Sequence, residues 1–194
     1  MSAGLRKIIM KKIFLMAALL AVAATACAQG NNKKEKNDMK TLVAYFSATG
    51  TTEKIAQKLA KVTGGDLYEI KPEVRYTAAD LDWRDRNSRS TKEMTNKSSR
   101  PAIVKDLQNA AQYDTIFIGF PVWWYTAPTI INTFIEAYDF SGKTVIFFAT
   151  SGSSDIDGAD KQFHAQYPKL NWKAGKLLNG ATEQTIKAWV DTLK

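Results

Sequence analysis

The chain has 194 residues, of which 45% are hydrophobic, 11% aromatic and 24% charged. Those proportions exclude a disordered, collagen-like or disulfide-stapled protein and suit a single globular domain. The formal net charge is +8, from 27 basic and 19 acidic residues, and part of the excess sits at the N-terminus.

Arg6, Lys7, Lys11 and Lys12 precede an uncharged run from Ile13 to Ala24, which leads into Thr25-Ala26-Cys27-Ala28-Gln29. Met10, directly before Lys11, is a second candidate start. A basic start, a short apolar stretch and small residues before a break predict a secretory signal peptide. The apolar run has 12 residues, short of the ~20 that a spanning helix needs. Ala26-Cys27-Ala28 fits cleavage before Gln29, and Ala24-Thr25-Ala26-Cys27 also resembles a lipobox that would make Cys27 a lipidated membrane anchor. Both readings stay open, and both place the protein outside the cytoplasm, periplasmic or membrane-anchored. Cys27 is the only cysteine, so an intrachain disulfide or CxxC redox centre is excluded. The expected organisation is a signal peptide over 1–28, a flexible linker over 29–40 and one domain over 41–194. Loss of 1–28 leaves 23 basic against 19 acidic residues, a net +4. That excess is modest and gives no reason to expect a nucleic-acid partner.

Thr41 to Ser47 is a mostly apolar run ending in turn chemistry, as expected of a strand buried on both faces. Ile55, Ala56, Leu59, Ala60 and Val62 then make one face of a helix over Glu53 to Val62, stopped by Gly64-Gly65. Asp66 to Ile70 reads as a second strand. Residues 71 to 112 are polar and form a long connection, with a helix expected around Ala78 to Asn87 and a loop to Arg100. Asp114 to Phe120 and Lys143 to Thr150 are two further buried strands. Between them Thr126 is expected to cap a helix that carries Pro128 in its first turn and runs to about Tyr138. Lys173 to Leu178 is the weakest strand. A last helix starts near Thr182, with Ile186, Trp189, Val190 and Leu193 at i, i+3, i+4 and i+7. Strands alternating with helices predict right-handed crossovers and a parallel sheet.

In such a sheet, ligands bind beyond the carboxyl ends of the strands where the strand order reverses. The loops after the strands therefore belong together. Ser47-Ala48-Thr49-Gly50-Thr51-Thr52 places hydroxyls and amides on a tight turn at a helix N-terminus, an anion cradle without its own Lys or Arg. It is neither a Walker A loop nor a G-x-G-x-x-G turn, which disfavours triphosphate and dinucleotide ligands. Pro121-Val122-Trp123-Trp124-Tyr125 follows the third strand. Its three adjacent aromatics cannot all be core, so one Trp is expected to be structural and the other to offer a flat face to a planar ring. Thr150-Ser151-Gly152-Ser153 follows the fourth strand, a small and amide-rich loop suited to the polar edge of a ring system.

These three loops together resemble the flavodoxin family over roughly residues 41 to 194. The resemblance implies a three-layer α/β flavodoxin-like fold, with a five-stranded parallel sheet of order 2-1-3-4-5, and non-covalent FMN. It implies that Ser47, Thr49, Gly50, Thr51 and Thr52 hold the FMN phosphate. Pro121 to Tyr125 would flank one side of the isoalloxazine, and Thr150, Ser151, Gly152 and Ser153 would line its pyrimidine edge or second face. The backbone around Ser151-Gly152 would hydrogen-bond the N5 region. The chain departs from the family pattern in its mildly basic charge, its export, and a third loop that carries no aromatic.

The expected activity is low-potential electron transfer between redox partner proteins. The first rival is an NAD(P)H- or quinone-dependent FMN reductase on the same fold. It draws on Arg84 to Arg100, which holds six basic and two acidic residues. The second is a non-redox protein that stores or senses FMN. A response-regulator reading fails, because Ser47 and Phe120-Pro121 stand where acceptor acids should end the first and third strands. His164, the only histidine, is assigned no role, and no metal site is expected.

Overall fold

A computed structural model describes residues 40–193. The expected signal peptide, linker and lipidated Cys27 lie outside the described residues. Five strands make one all-parallel sheet: β1 (Lys40–Tyr45), β2 (Asp66–Glu69), β3 (Tyr113–Pro121), β4 (Thr144–Thr150) and β5 (Asn171–Leu177), in the order β2-β1-β3-β4-β5. This is the order expected. The chain leaves β1 toward β2 on one side and later returns to β3 on the other, so the order reverses between β1 and β3.

The three central strands β1, β3 and β4 are buried on both faces, alternate residues supplying the two, while the edge strands β2 and β5 are partly exposed. Leu42, Ala44, Ile116, Ile118, Phe120, Val145, Phe147 and Ala149 pack on α3 (Ile130–Ala137) and α4 (Asp157–Gln166), whose Ile131, Phe134 and Phe163 are fully buried. Val43, Tyr45, Phe117, Ile146 and Phe148 pack instead on α1 (Thr51–Thr63) and α5 (Glu183–Asp191) through Ile55, Leu59, Ile186 and Trp189. The result is three layers. Helix α1 ends where expected, at Gly64 with φ 65°, a left-handed stop that glycine adopts without a Cβ penalty. Helix α5 begins at Thr182, whose hydroxyl accepts the Thr185 N–H at 3.2 Å.

Two expected helix starts are wrong. No helix spans 78–87. That stretch forms successive three-residue turns, from Leu81 N–H to Ala78 O through Ser88 N–H to Asp85 O. The cause is side-chain competition for the backbone. Asp82 takes the Arg84 N–H at 3.1 Å and Asp85 takes the Asn87 N–H at 2.8 Å, so the amides are satisfied without a helix. The helix of this connection, α2 (Arg89–Thr95), starts only past the end of the expected one, behind the Ser88 cap. Thr126 likewise does not cap α3, which begins at Ile130 behind Thr129. Thr126 instead pairs both its backbone groups with Trp123 and points its hydroxyl at Gln162, 3.1 Å away.

Candidate cofactor site

The ends of β1, β3 and β4 place the three loops side by side. Phe46 N–H donates to Gly119 O at 2.8 Å, and Pro121 stands level with Thr150, so the strands stop together.

The first loop turns into α1 through Gly50, at φ 80°. A side chain there would be strained, and no side chain caps the helix. The first intrahelical bond is Lys54 N–H to Gly50 O. The amides of Thr51, Thr52 and Glu53 therefore precede the helix ladder and carry its positive end. Thr49 and Thr51 are exposed, with hydroxyls 3.4 Å apart. Ser47 and Ala48 are half-buried. Thr52 differs: it is buried, and its hydroxyl is 2.8 Å from that of Thr150. Its hydroxyl acts as a strut to the β4 loop.

Thr150 connects all three loops. Its hydroxyl meets Thr52 of the first, and its carbonyl accepts the Val122 N–H of the second at 2.8 Å. It is buried, held between the other two loops. The third loop beyond it is held by Asn179. The Asn179 carboxamide accepts the Ser151 N–H at 2.8 Å and donates to Ser151 O at 2.7 Å. Ser151 Oγ in turn accepts the Ser153 and Ser154 amides at 3.2 and 2.8 Å. Between these bonded amides stands Gly152, exposed and with open space where a Cβ would be. Its N–H donates to no partner among the described residues.

The second loop splits its aromatics as expected. Trp123 is half-buried and meets Phe46 and Tyr76 edge to face, with ring centroids 5.7 Å away in each case. Trp124 and Tyr125 form the tip of a two-residue hairpin closed by Trp123 and Thr126. Both have positive φ, 45° and 66°. That combination makes a type I′ turn, which ordinarily selects Asn and Gly. Two bulky aromatics in left-handed conformations are strained, and strain of this kind concentrates at functional sites. Both rings are exposed. Helix α4 braces the turn through Gly158, where a Cβ would stand 2.1 Å from the Tyr125 carbonyl oxygen.

Val122, Trp123, Trp124, Tyr125 and Ser151 to Ser154 line one cleft of about 520 Å³. Leu81, Trp83 and Ser90 complete it, and sequence reasoning missed all three. The one available signal was Trp83, a lone aromatic in a polar run. The cradle residues Ser47 and Ala48 border a neighbouring cleft of about 360 Å³ with Tyr76 and Arg75. A larger cavity of about 570 Å³ lies at the opposite end of the strands, beside Thr41, Asp114 and Thr144, away from these loops.

The basic connection is partly committed to structure. Arg84 pairs with Asp82, and Arg100 makes two bonds to Glu136 at 2.7 and 2.9 Å. Arg89 bonds Glu93 at 2.6 Å and lies 3.8 Å over the Tyr76 ring. Burial and the Glu93 hydrogen bond push the Tyr76 phenol well up, which keeps it neutral. Arg86, Lys92 and Lys97 make no ion pair among the described residues. His164 stacks on Trp172, with centroids 4.8 Å apart, on β5 and outside the cleft.

The sequence model of the family described as Flavodoxin matches residues 40–193. This chain belongs to the flavodoxin family. It is similar to a candidate flavoprotein from Bacteroides uniformis, 58% identical with a TM-score of 0.77, covering 79% of this chain and 98% of that one. A candidate flavoprotein from Bacteroides eggerthii is 54% identical with the same TM-score, over 79% of this chain and 96% of that one. A flavoprotein from Lactobacillus acidophilus, solved in complex with FMN, is 25% identical with a TM-score of 0.63, over 79% and 97%. No curated protein matches the chain.

Proposed function

We propose that this protein binds FMN without a covalent bond and passes electrons between redox partner proteins. The observation that carries this reading is the fastening of three different loops at Thr150. It brings an anion cradle, an aromatic turn and an amide loop to the rim where the strand order reverses. The residues fit the cofactor. Thr49, Gly50 and Thr51, with the first amides of α1, would hold the phosphate by neutral hydrogen bonds and the helix dipole. Trp124 and Tyr125 would flank the ring. The Gly152 amide would donate to its polar edge, a task closed to Ser151 because Asn179 holds its amide. The Lactobacillus relative solved with FMN supports the choice of cofactor.

When bound, FMN supplies one- and two-electron redox chemistry, and the protein supplies binding and electrostatics. The cleft lining of apolar, aromatic and hydroxyl side chains suits electron passage at a ring edge better than protonation of a substrate. A hydrogen bond from Gly152 worth ~1 kcal/mol shifts a one-electron couple by about 40 mV.

Titration of the full chain with FMN tests this. One equivalent should bind, and the bound flavin should be photoreduced and then reoxidised by an acceptor protein. Protein that stays colourless in excess riboflavin 5′-phosphate overturns the reading. A reductase is the second reading, and it draws on Lys97, which lines a cleft of about 320 Å³ shared with Trp124 and Tyr125. Steady-state NADPH oxidation by the loaded protein separates the two. We also propose export, with Cys27 lipidated or removed; the mass of the mature N-terminus decides which.

A further inference from the structure

Trp83 is unexplained by the fold. Its side chain is 69% exposed, in a segment that buries little of itself. Yet the segment is tightly held. Asp80 accepts both the backbone N–H and the hydroxyl of Thr77 at 2.8 Å. Asp82 Oδ1 accepts both the Arg84 N–H and the Arg84 Nε–H at 3.1 Å, so the two neighbours of Trp83 in the chain are tied to each other. Ser90 N–H reaches back to Asp80 O at 2.9 Å and ties the segment to α2. The two large apolar side chains of residues 77–88, Leu81 and Trp83, both line the 520 Å³ cleft. An ordered polar segment that presents its only tryptophan to a cleft, and not to the core, is built for a ligand.

We propose that Trp83 is a cofactor-contacting residue whose indole packs on the isoalloxazine of bound FMN. It covers ring surface that Ser151 to Ser154, having no aromatic side chain, cannot cover. This inference rests on the FMN reading above and adds a residue from the β2–β3 connection to it. The chemistry is general. A planar heterocycle gains by stacking on an indole, and removing such a partner costs about tenfold to a hundredfold in affinity.

The test compares wild-type full chain with Trp83→Ala and Trp83→Phe, each stripped of flavin and titrated separately with FMN and with riboflavin. Trp83→Ala should raise both dissociation constants by the same factor, tenfold or more, because the indole acts on the ring and not on the phosphate. Trp83→Phe should stay within about threefold of wild type. At saturating FMN, the visible circular dichroism of the bound flavin should change in Trp83→Ala. The melting temperature of the flavin-free variants should match wild type, since the indole is exposed. Three results each overturn the proposal: a dissociation constant within twofold with unchanged dichroism, a loss confined to FMN, or a loss accompanied by a lowered apoprotein melting temperature. Wild-type protein that fails to bind FMN overturns the cofactor reading instead.

Discussion

The loops that border the cleft from the ends of β3 and β4 are held in opposite ways. The β4 loop is relaxed: no residue from Thr150 to Ser154 has a positive φ, and its shape is fixed by side chains, Asn179 on Ser151 and Ser151 Oγ on the next two amides. The β3 loop is strained: Trp124 and Tyr125 sit in left-handed conformations and are held from outside, by the Thr126 hydrogen bonds and the close approach of Gly158. The difference follows from what each loop offers. Amides need only be aimed, and small residues allow that cheaply. Aromatic faces must be pushed out into a cleft, which costs backbone strain that the surrounding structure has to absorb.

The largest effect should come from breaking the external brace. Gly158→Ala puts a methyl group 2.1 Å from the Tyr125 carbonyl, against backbone that has nowhere to move without distorting the turn. It should cost about 3 kcal/mol in urea unfolding and weaken FMN binding as well. Unchanged stability would show that the turn is free to relax, and the contrast between the loops would be lost. The strut shared by both loops comes next. Thr150→Val leaves the buried Thr52 hydroxyl without a partner, a loss of about 2 kcal/mol. The double variant with Thr52→Val should recover part of that, because two apolar groups of similar shape need no hydrogen bond. Strict additivity of the two single losses would deny the direct contact.

The sequence revealed these loops unequally, for physical reasons. The strands and their parallel pairing were legible because continuous apolar runs alternate with amphipathic helices, whereas the sheet order came from the resemblance of the three loops to the flavodoxin family. Gly50 between hydroxyls at a strand end marked the cradle for the same local reason. The roles of Thr52 and Thr150 were not legible, since the contact that buries them joins positions 98 residues apart. Asn179 was missed likewise, because nothing near Ser151 in the sequence names its partner. The stretch 78–87 was misread as a helix, whereas Asp80, Asp82 and Asp85 satisfy its backbone in turns. With the turns went Trp83, which nothing near it in the sequence links to the cleft.

Removing the pin of the relaxed loop should matter less than removing the brace. Asn179→Ala deletes two hydrogen bonds to an exposed backbone that water can serve in their place, a loss of about 1 kcal/mol. Its clearer signature is in the loaded protein. With the Ser151 amide released, the aim of the Gly152 amide loosens, and the redox potentials should move while the affinity for FMN changes little. A large loss of affinity with constant potentials would mean that Asn179 supports the ring itself.

The smallest change has the opposite sign. Tyr125 is exposed, so its replacement sacrifices little packing, and glycine adopts φ 66° without the Cβ clash that tyrosine bears there. Glycine also gains more freedom in the unfolded chain, which offsets part of the relief. The net should be a flavin-free protein about 0.5 kcal/mol more stable than wild type, read as a slightly higher melting temperature. The same variant should bind FMN less tightly, because it removes one of the aromatic faces at the tip of the turn. Stability and binding moving in opposite directions is what a loop strained for its ligand requires. If Tyr125→Gly lowers both, the left-handed turn is supported by packing of the tyrosine ring, and the two walls of the cleft are held by the same means after all.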